Sequence, residues 1–191
     1  MNAFSAAETT LRTVLHVGCG IANPAKLPAA FFNPGDWREI RLDIDPEVQP
    51  DIVGTITDMA DVPNASVDAV WSSHNVEHLY AHEVPAAFAE FRRVLKPGGF
   101  ALIAVPDLQQ VAGLIAEDRL GDAAYLSSMG PITPLDILYG HRPSIAQGNA
   151  FMAHRTGFTA RTLQACLEEA GFPVVNVLRD GSFALWAAAY V

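Results

Sequence analysis

Short, nearly unbroken apolar runs alternate along the chain with stretches of helical periodicity, and that alternation predicts a sheet flanked by helices. RTVLHV at 12–17 is rich in Val and Leu and stops at GCG, as a buried strand feeding a tight turn does. EIRLDI at 39–44, DIVGT at 51–55 and VDAVWSS at 67–73 predict three further strands, and FALIAVP at 100–106 a fifth. FALIAVP is apolar throughout, which suits a central parallel strand covered on both faces. Before it, Val84, Ala87, Phe88, Phe91, Val94 and Leu95 keep the i, i+3, i+4, i+7 spacing of one helix face, with Pro85 in the first turn and KPGG closing it. Thr159 caps a later helix whose stripe is Leu163, Cys166, Leu167 and Ala170, stopped by Gly171 and Pro173. VVNVL at 174–178 and FALWAAAYV at 183–191 flank RDGS, and an Asp-Gly pair between apolar runs predicts an antiparallel hairpin. The expected fold class is therefore α/β, a Rossmann-like doubly wound sheet that is mostly parallel and ends in an antiparallel strand.

Between Pro106 and Gly157 the pattern weakens. One helix is expected near Leu108–Arg119, followed by a long excursion of the kind that covers binding sites in compact domains. The expected organisation is one domain over 1–191 with a substrate-covering insertion at about 107–157.

Composition narrows the function. A chain of 191 residues, half of them hydrophobic, folds without staples, and its two cysteines, Cys19 and Cys166, make no disulfide framework. A reducing, cytoplasmic location is the expectation. No apolar stretch reaches the roughly 18–20 residues that cross a bilayer, and MNAFSAAETTLR has neither the basic start nor the apolar run of a signal peptide. The formal charge of −9 repels phosphate backbones, with Arg92, Arg93 and Lys96 as the only compact basic cluster, so nucleic acid is a poor partner.

Three positions carry candidate chemistry in a telling order. Gly18 and Gly20 in LHVGCG let the backbone turn sharply and let a ligand approach the main chain, although a tight strand-to-helix turn needs the same residues. Asn23 stands where a third glycine of G-x-G-x-x-G would fall, and no phosphate-cradling G-x-x-x-x-G-K-[ST] exists. Asp43, at the tip of the second strand, can accept both hydroxyls of a ribose, or serve only as a turn carboxylate with Asp45 before Pro46. Asp58, past the third strand, can accept an exocyclic amine while Met59 packs on a ring, or be a loop acid.

LHVGCG, RLDIDPE, ITDMADVPNASVDAVWSSHNVEHL, FRRVLKPGGFALIAVPD and the closing hairpin together resemble the class I S-adenosylmethionine-dependent methyltransferases, over most of 11–108 and 157–191. The resemblance implies a seven-stranded sheet with the last strand antiparallel. It implies S-adenosylmethionine as cofactor, with Gly18 and Gly20 at its methionine and ribose portion, Asp43 on the ribose diol, and Asp58 with Met59 at the adenine. His16, Cys19, Ile44 and Ser73 join the same pocket. Two departures stand out: His16 occupies a position that is commonly acidic in the family, and IANPAKLPAAFFNPGDW, with three prolines, has room for only a short helix.

The missing third glycine fits this cofactor, which carries no pyrophosphate. Its sulfonium methyl is already activated, so the protein's task is to exclude water and hold an acceptor in line. His74, just beyond the fourth strand, is the expected catalytic base, or else a wall of the pocket. His74, His78 and His82 recur at metal-like spacing, but without a cysteine and with Pro85 close behind, so no metal is expected; Glu77 and His78 are expected to make structural hydrogen bonds. Within the excursion, which also holds Tyr125, Tyr139, His141, Arg142, His154 and Arg155 are expected to form the acceptor pocket, unless they serve packing. The reading is thus a small-molecule methyltransferase, with a homodimer contact as a further expectation for the excursion's apolar residues. Its alternatives are a non-catalytic S-adenosylmethionine-binding partner protein and a nicotinamide-dependent oxidoreductase.

Overall fold

The computed structural model describes residues 11–127 and 129–191. Among these residues nine strands form: β1 (Arg12–Val17), β2 (Trp37–Asp43), β3 (Ile52–Val53), β4 (Val67–Ser73), β5 (Leu95–Pro106), β6 (Tyr125–Ser127), β7 (Gly130–Ile132), β8 (Val174–Arg179) and β9 (Ala184–Tyr190). Seven of them build one sheet in the order β3-β2-β1-β4-β5-β9-β8, while β6 and β7 pair separately. All neighbours from β3 to β5 run parallel, and β9 is antiparallel to both β5 and β8. The expected terminal hairpin is present, but Phe183 rather than Gly181 takes the positive φ, of 63°. Asp180 organises its turn: one carboxylate oxygen accepts the Ser182 and Ala184 amides and the other the Trp186 indole N–H.

The helical stripes fall where their spacing places them. Helix α1 (Val84–Val94) buries Val84, Ala87, Phe88, Phe91 and Val94. After α2 (Leu108–Ala116), α3 (Pro134–Tyr139) and α4 (Arg142–Ala146), helix α5 (Ala160–Glu169) starts at a Thr159 capping box and buries Leu163 and Leu167. Helices α1 and α5 cover one sheet face, where Leu15, Val17, Val70, Ala101, Ile103 and Leu185 complete the larger core. At about 25 cal/mol per Å², burial of this apolar surface is the main term holding the sheet to its helices.

The opposite face is built differently. Between β1 and β2 the chain makes only a single 3-10 turn, Pro24–Lys26, as its prolines dictate. The remainder of that connection lays Phe32 onto Val14, Trp37, Ala69, Trp71 and Leu102. Phe32 meets Trp37 edge-on at 5.1 Å and stacks with Phe100 at 6.0 Å, while Trp71 stacks on Trp186 at 5.5 Å. One loop aromatic thus does the work that a helix would do elsewhere.

The segment between β5 and α5 holds more regular structure than its sequence suggests: α2, the β6–β7 hairpin, α3 and α4. Asp107 starts it, buried and capping α2 through the Gln109 amide. Asp136 staples its middle, accepting from Thr133 and from the Arg142 guanidinium at 2.8 Å. Burial works to raise the Asp136 pKa, but Arg142 and Thr133 outweigh it and hold the carboxyl well below its ordinary value. No helix among the described residues is long and apolar enough to cross a membrane.

Two stability outcomes follow. Phe32→Ala should cost about 3–5 kcal/mol in chemical unfolding, whereas the neighbouring exposed Phe31→Ala should change stability by no more than about 0.5 kcal/mol. A carboxylate with a depressed folded-state pKa stabilises above its unfolded value, near 3.9, and that contribution is lost as pH falls through the lower folded value. Melting curves of the unsubstituted chain and Asp136→Asn should therefore differ at pH 7 and draw together progressively only as pH falls below about 4.

Candidate active site

Beyond the carboxyl end of β1 the chain turns through Gly18 and Gly20, both left-handed at φ 61° and 57°. A Cβ on Gly18 would stand 2.4 Å from Asn75 Cγ, so the close approach of the loop after β4 requires glycine there. The loop is held by charge on both sides. The Gly20 N–H donates to Asp43 Oδ2 at 2.7 Å, the Gly20 carbonyl accepts from Arg41 Nη2, and the Cys19 carbonyl accepts from Lys26 Nζ at 2.7 Å. Asp43 also takes the Asp45 amide on its other oxygen. A carboxylate offers about four acceptor positions, so Asp43 keeps capacity toward a ligand.

That capacity faces a cleft of about 260 Å³. Gly18, Gly20, Asp43, Ile44, His74 and Asn75 line its sheet side, with Thr55 and Ile56 beneath. Its far wall comes from the β5–α5 segment: Asn149, Phe151, Met152 and Arg155. The Asn75 side-chain nitrogen is buried there without a hydrogen-bond partner.

The remaining residues of the expected cofactor set lie around this cleft rather than in its lining. His16 is buried, donates from Nδ1 to Glu39 Oε1 at 2.6 Å, and has its pKa pushed down by burial against the opposing pull of Glu39. Cys19 is buried under the loop, which raises its thiol pKa. Met59 is in the main core and Asp58 is exposed, Thr55 and Ile56 lining the cleft in that part of the chain. Ser73 is half-buried at the end of β4.

His74 follows directly, in a left-handed conformation at φ 47° with its amide bonded to the Ala104 carbonyl. Such a position costs about 1–3 kcal/mol for a non-glycine residue and tends to mark a site. It lines both the cleft and a second cavity of about 110 Å³. Pro106, Tyr125, Ile132, Ile137 and Phe183 make that cavity largely apolar, and His141 and His154 add polar edges.

Glu77 is wholly buried, with His74 Nδ1 3.3 Å from Oε1. Burial acts to raise the Glu77 pKa, yet His74, His78 and His154 together hold it below its ordinary value. Burial likewise acts to lower the pKa of His74, and Glu77 raises it overall. Residues 76–78 form one 3-10 turn, so His74, His78 and His82 do not share a helix face. His82 is exposed and stacks on Tyr80; the ring that meets His78, at 4.8 Å between centroids, is His154. No local spacing announces that partner, because it arrives from 76 residues away along the chain.

A clamp brings it there. The Glu77 carbonyl accepts the Arg155 and Thr156 amides at 2.8 and 3.2 Å, and the His78 carbonyl accepts from Arg155 Nη1 at 2.9 Å. Gly140, at φ 93°, permits the neighbouring crossing, since its Cβ would fall 1.8 Å from the Met152 carbonyl oxygen. Of the expected acceptor residues, His141 and His154 reach the apolar cavity and Arg155 reaches the cleft. Tyr139 is exposed and Arg142 is committed to Asp136, and neither lines the two cavities.

Residues 15–103 match the methyltransferase domain family. Among solved structures, a SAM-dependent methyltransferase from Archaeoglobus fulgidus superposes with a TM-score of 0.62 at 15% identity, over 96% of this chain and 87% of that one. One from Aquifex aeolicus gives 0.55 at 16% identity, over 96% and 86%. The Burkholderia thailandensis 1,6-didemethyltoxoflavin-N1-methyltransferase, solved with 1,6-didemethyltoxoflavin and S-adenosylhomocysteine, gives 0.55 at 16%, over 94% and 71%. Comparison with curated proteins finds no match. The match runs from within β1 to within β5 and so takes in the glycine loop, Asp43 and His74; over these residues the chain is similar to methyltransferase domains, and the superpositions show that nearly the whole chain shares the fold of those S-adenosylmethionine-dependent enzymes.

Proposed function

We propose that the chain methylates a small, largely apolar molecule in the cytoplasm by in-line transfer, with segment 107–157 as the substrate cover. The observation that carries this reading is the position of His74, which faces the cofactor cleft on one side and the apolar cavity on the other. The residues present fit the cofactor. Gly18 lets the Asn75 side chain pack against the turn, Asp43 retains acceptor positions for a ribose diol, and the orphaned Asn75 amide offers a donor in the same cleft. When bound, S-adenosylmethionine supplies an electrophilic methyl on sulfur. The chain's own contribution is placement and dryness: Phe151 and Met152 close the far wall, and Tyr125 and Phe183, stacked at 6.3 Å, form an apolar floor for the acceptor. His74 is the side chain placed to meet the acceptor's nucleophilic atom. The Burkholderia thailandensis enzyme, bound to a small molecule of its own, supports an acceptor of that size. Two free cysteines, one buried and one half-buried, suit the reducing compartment.

S-adenosylhomocysteine at about 100 times its dissociation constant should stabilise the chain by about 2.7 kcal/mol, read as a rise in melting temperature, while NAD leaves it unchanged. A shift with NAD and none with S-adenosylhomocysteine would overturn the reading. Loss of charge-assisted bonds to ribose predicts that Asp43→Ala weakens S-adenosylhomocysteine about 10- to 100-fold by calorimetric titration.

A further inference from the structure

Glu77 presents a wholly buried carboxylate: neither oxygen has a hydrogen bond of good geometry, and His74 Nδ1, 3.3 Å from Oε1, is its one ion-pair contact among the described residues. Such a group is costly to bury unless something cationic meets it. Two imidazoles close on it: one ligand atom each from Glu77, His78 and His154 lie within 4.8 Å of one another. Both rings are oriented from behind. His78 Nδ1 lies 3.1 Å from the Ala153 carbonyl oxygen and His154 Nδ1 2.8 Å from that of Ile137. A carbonyl only accepts, so each Nδ1 carries a proton, which leaves Nε2 as the nitrogen through which the neutral form of each ring can bind a cation. The result is one buried carboxylate and two half-buried imidazoles that each bring a ligand atom to one point, with His74 Nδ1 beside the carboxylate at 3.3 Å.

We propose that Glu77, His78 and His154 bind a divalent transition-metal cation of the zinc type at the boundary between the cofactor cleft and the acceptor cavity. Imidazole nitrogen with one carboxylate suits Zn²⁺ and its first-row neighbours, whereas Mg²⁺ and Ca²⁺ favour all-oxygen shells. The Nδ1–H to carbonyl bonds are the outer-shell contacts that fix the tautomer and orientation of metal-binding histidines. Ligand atoms on one tetrahedral ion stand about 3.4 Å apart, so binding draws the widest pair together by about 1.4 Å. Three protein ligands leave a position open, and placement decides where it leads. His78 lines the cleft, His154 lines the acceptor cavity, and His74 lines both. Resting on the methyltransferase reading, the open position takes the acceptor's oxygen or nitrogen, lowering its pKa and orienting it toward the methyl group. The clamp between Glu77 and residues 155–156 then assembles the metal site as well as the cleft, since it delivers His154.

The test uses the full chain, stripped with a chelator and titrated with Zn²⁺ alone by calorimetry and with Co²⁺ alone by visible absorption. One equivalent of each should bind, with Co²⁺ giving the intense bands of a low-coordinate site. His154→Ala and His78→Ala should each weaken Zn²⁺ at least about 100-fold, beyond the loss that outer-shell changes cause. His82→Ala, exposed and outside the cluster, should bind as the unsubstituted chain does. Melting of the metal-free variants reports folding, and two independent ligand variants keep the test standing if one folds poorly. No Zn²⁺ binding, or binding unchanged in both variants, overturns the site. S-adenosylhomocysteine titrated into the same samples separates the two readings: binding it without metal discards only the metal, and binding metal without it discards only the methyltransferase assignment.

Discussion

The functional end of this molecule depends on one short contact between distant backbones. The Glu77 carbonyl accepts two successive amides, Arg155 and Thr156, and Arg155 reaches back to the His78 carbonyl. Together with the His78 ring on the Ala153 carbonyl, that contact anchors the 107–157 segment beyond β4 and keeps Asn149, Phe151 and Met152 on the cleft that Gly18 and Asp43 line. Backbone bonds suit this duty because they specify register whatever the side chains do. Gly140 extends the same logic: a side chain there would collide with the Met152 carbonyl and push the whole wall outward.

The sheet prepares the other half of the site. In the order β3-β2-β1-β4-β5, the connections leaving β1 and β4 part to opposite sides, and a crevice opens beyond their carboxyl ends. The glycine loop lies in that crevice, held by opposed charges. Asp43 takes its amide, while Lys26 and Arg41 take its two carbonyls. Lys26 comes from the only turn of helix between β1 and β2, so the proline-rich connection that departs from the family pattern contributes directly to the loop's geometry. The same connection sends Phe32 to close the opposite face of the sheet, which ties that core to the shape of the glycine loop.

Local patterns were legible wherever the responsible physics is local. The α1 stripe, the Thr159 cap and the β8–β9 hairpin appear where periodicity and turn chemistry place them, because each depends on residues within one or two turns. Gly18, Gly20, Asp43 and Ile44 were also within reach, since strand ends in a parallel sheet converge on one edge. Met59 shows where that reasoning stops: position along the chain puts it near an adenine, but its side chain turns into the core and Thr55 and Ile56 line the cleft. The i, i+4, i+8 histidines show it again. The spacing assumed a continuous helix, and one 3-10 turn at 76–78 removes His82 while a docked loop supplies His154.

From its sequence alone this protein was bound to be an α/β sheet with a glycine turn, a carboxylate at the next strand tip and a histidine beyond the fourth strand. These follow from apolar periodicity, from glycine's freedom at positive φ, and from the convergence of strand ends. Tertiary structure alone decided which side chains meet: Phe183 with Tyr125 at the apolar cavity, Asn75 against Gly18, and Glu77 with His78 and His154. Those pairings join residues far apart in the chain, and nothing in a local window specifies them. Their energy comes from burial and backbone pairing that exist only once the whole chain has closed.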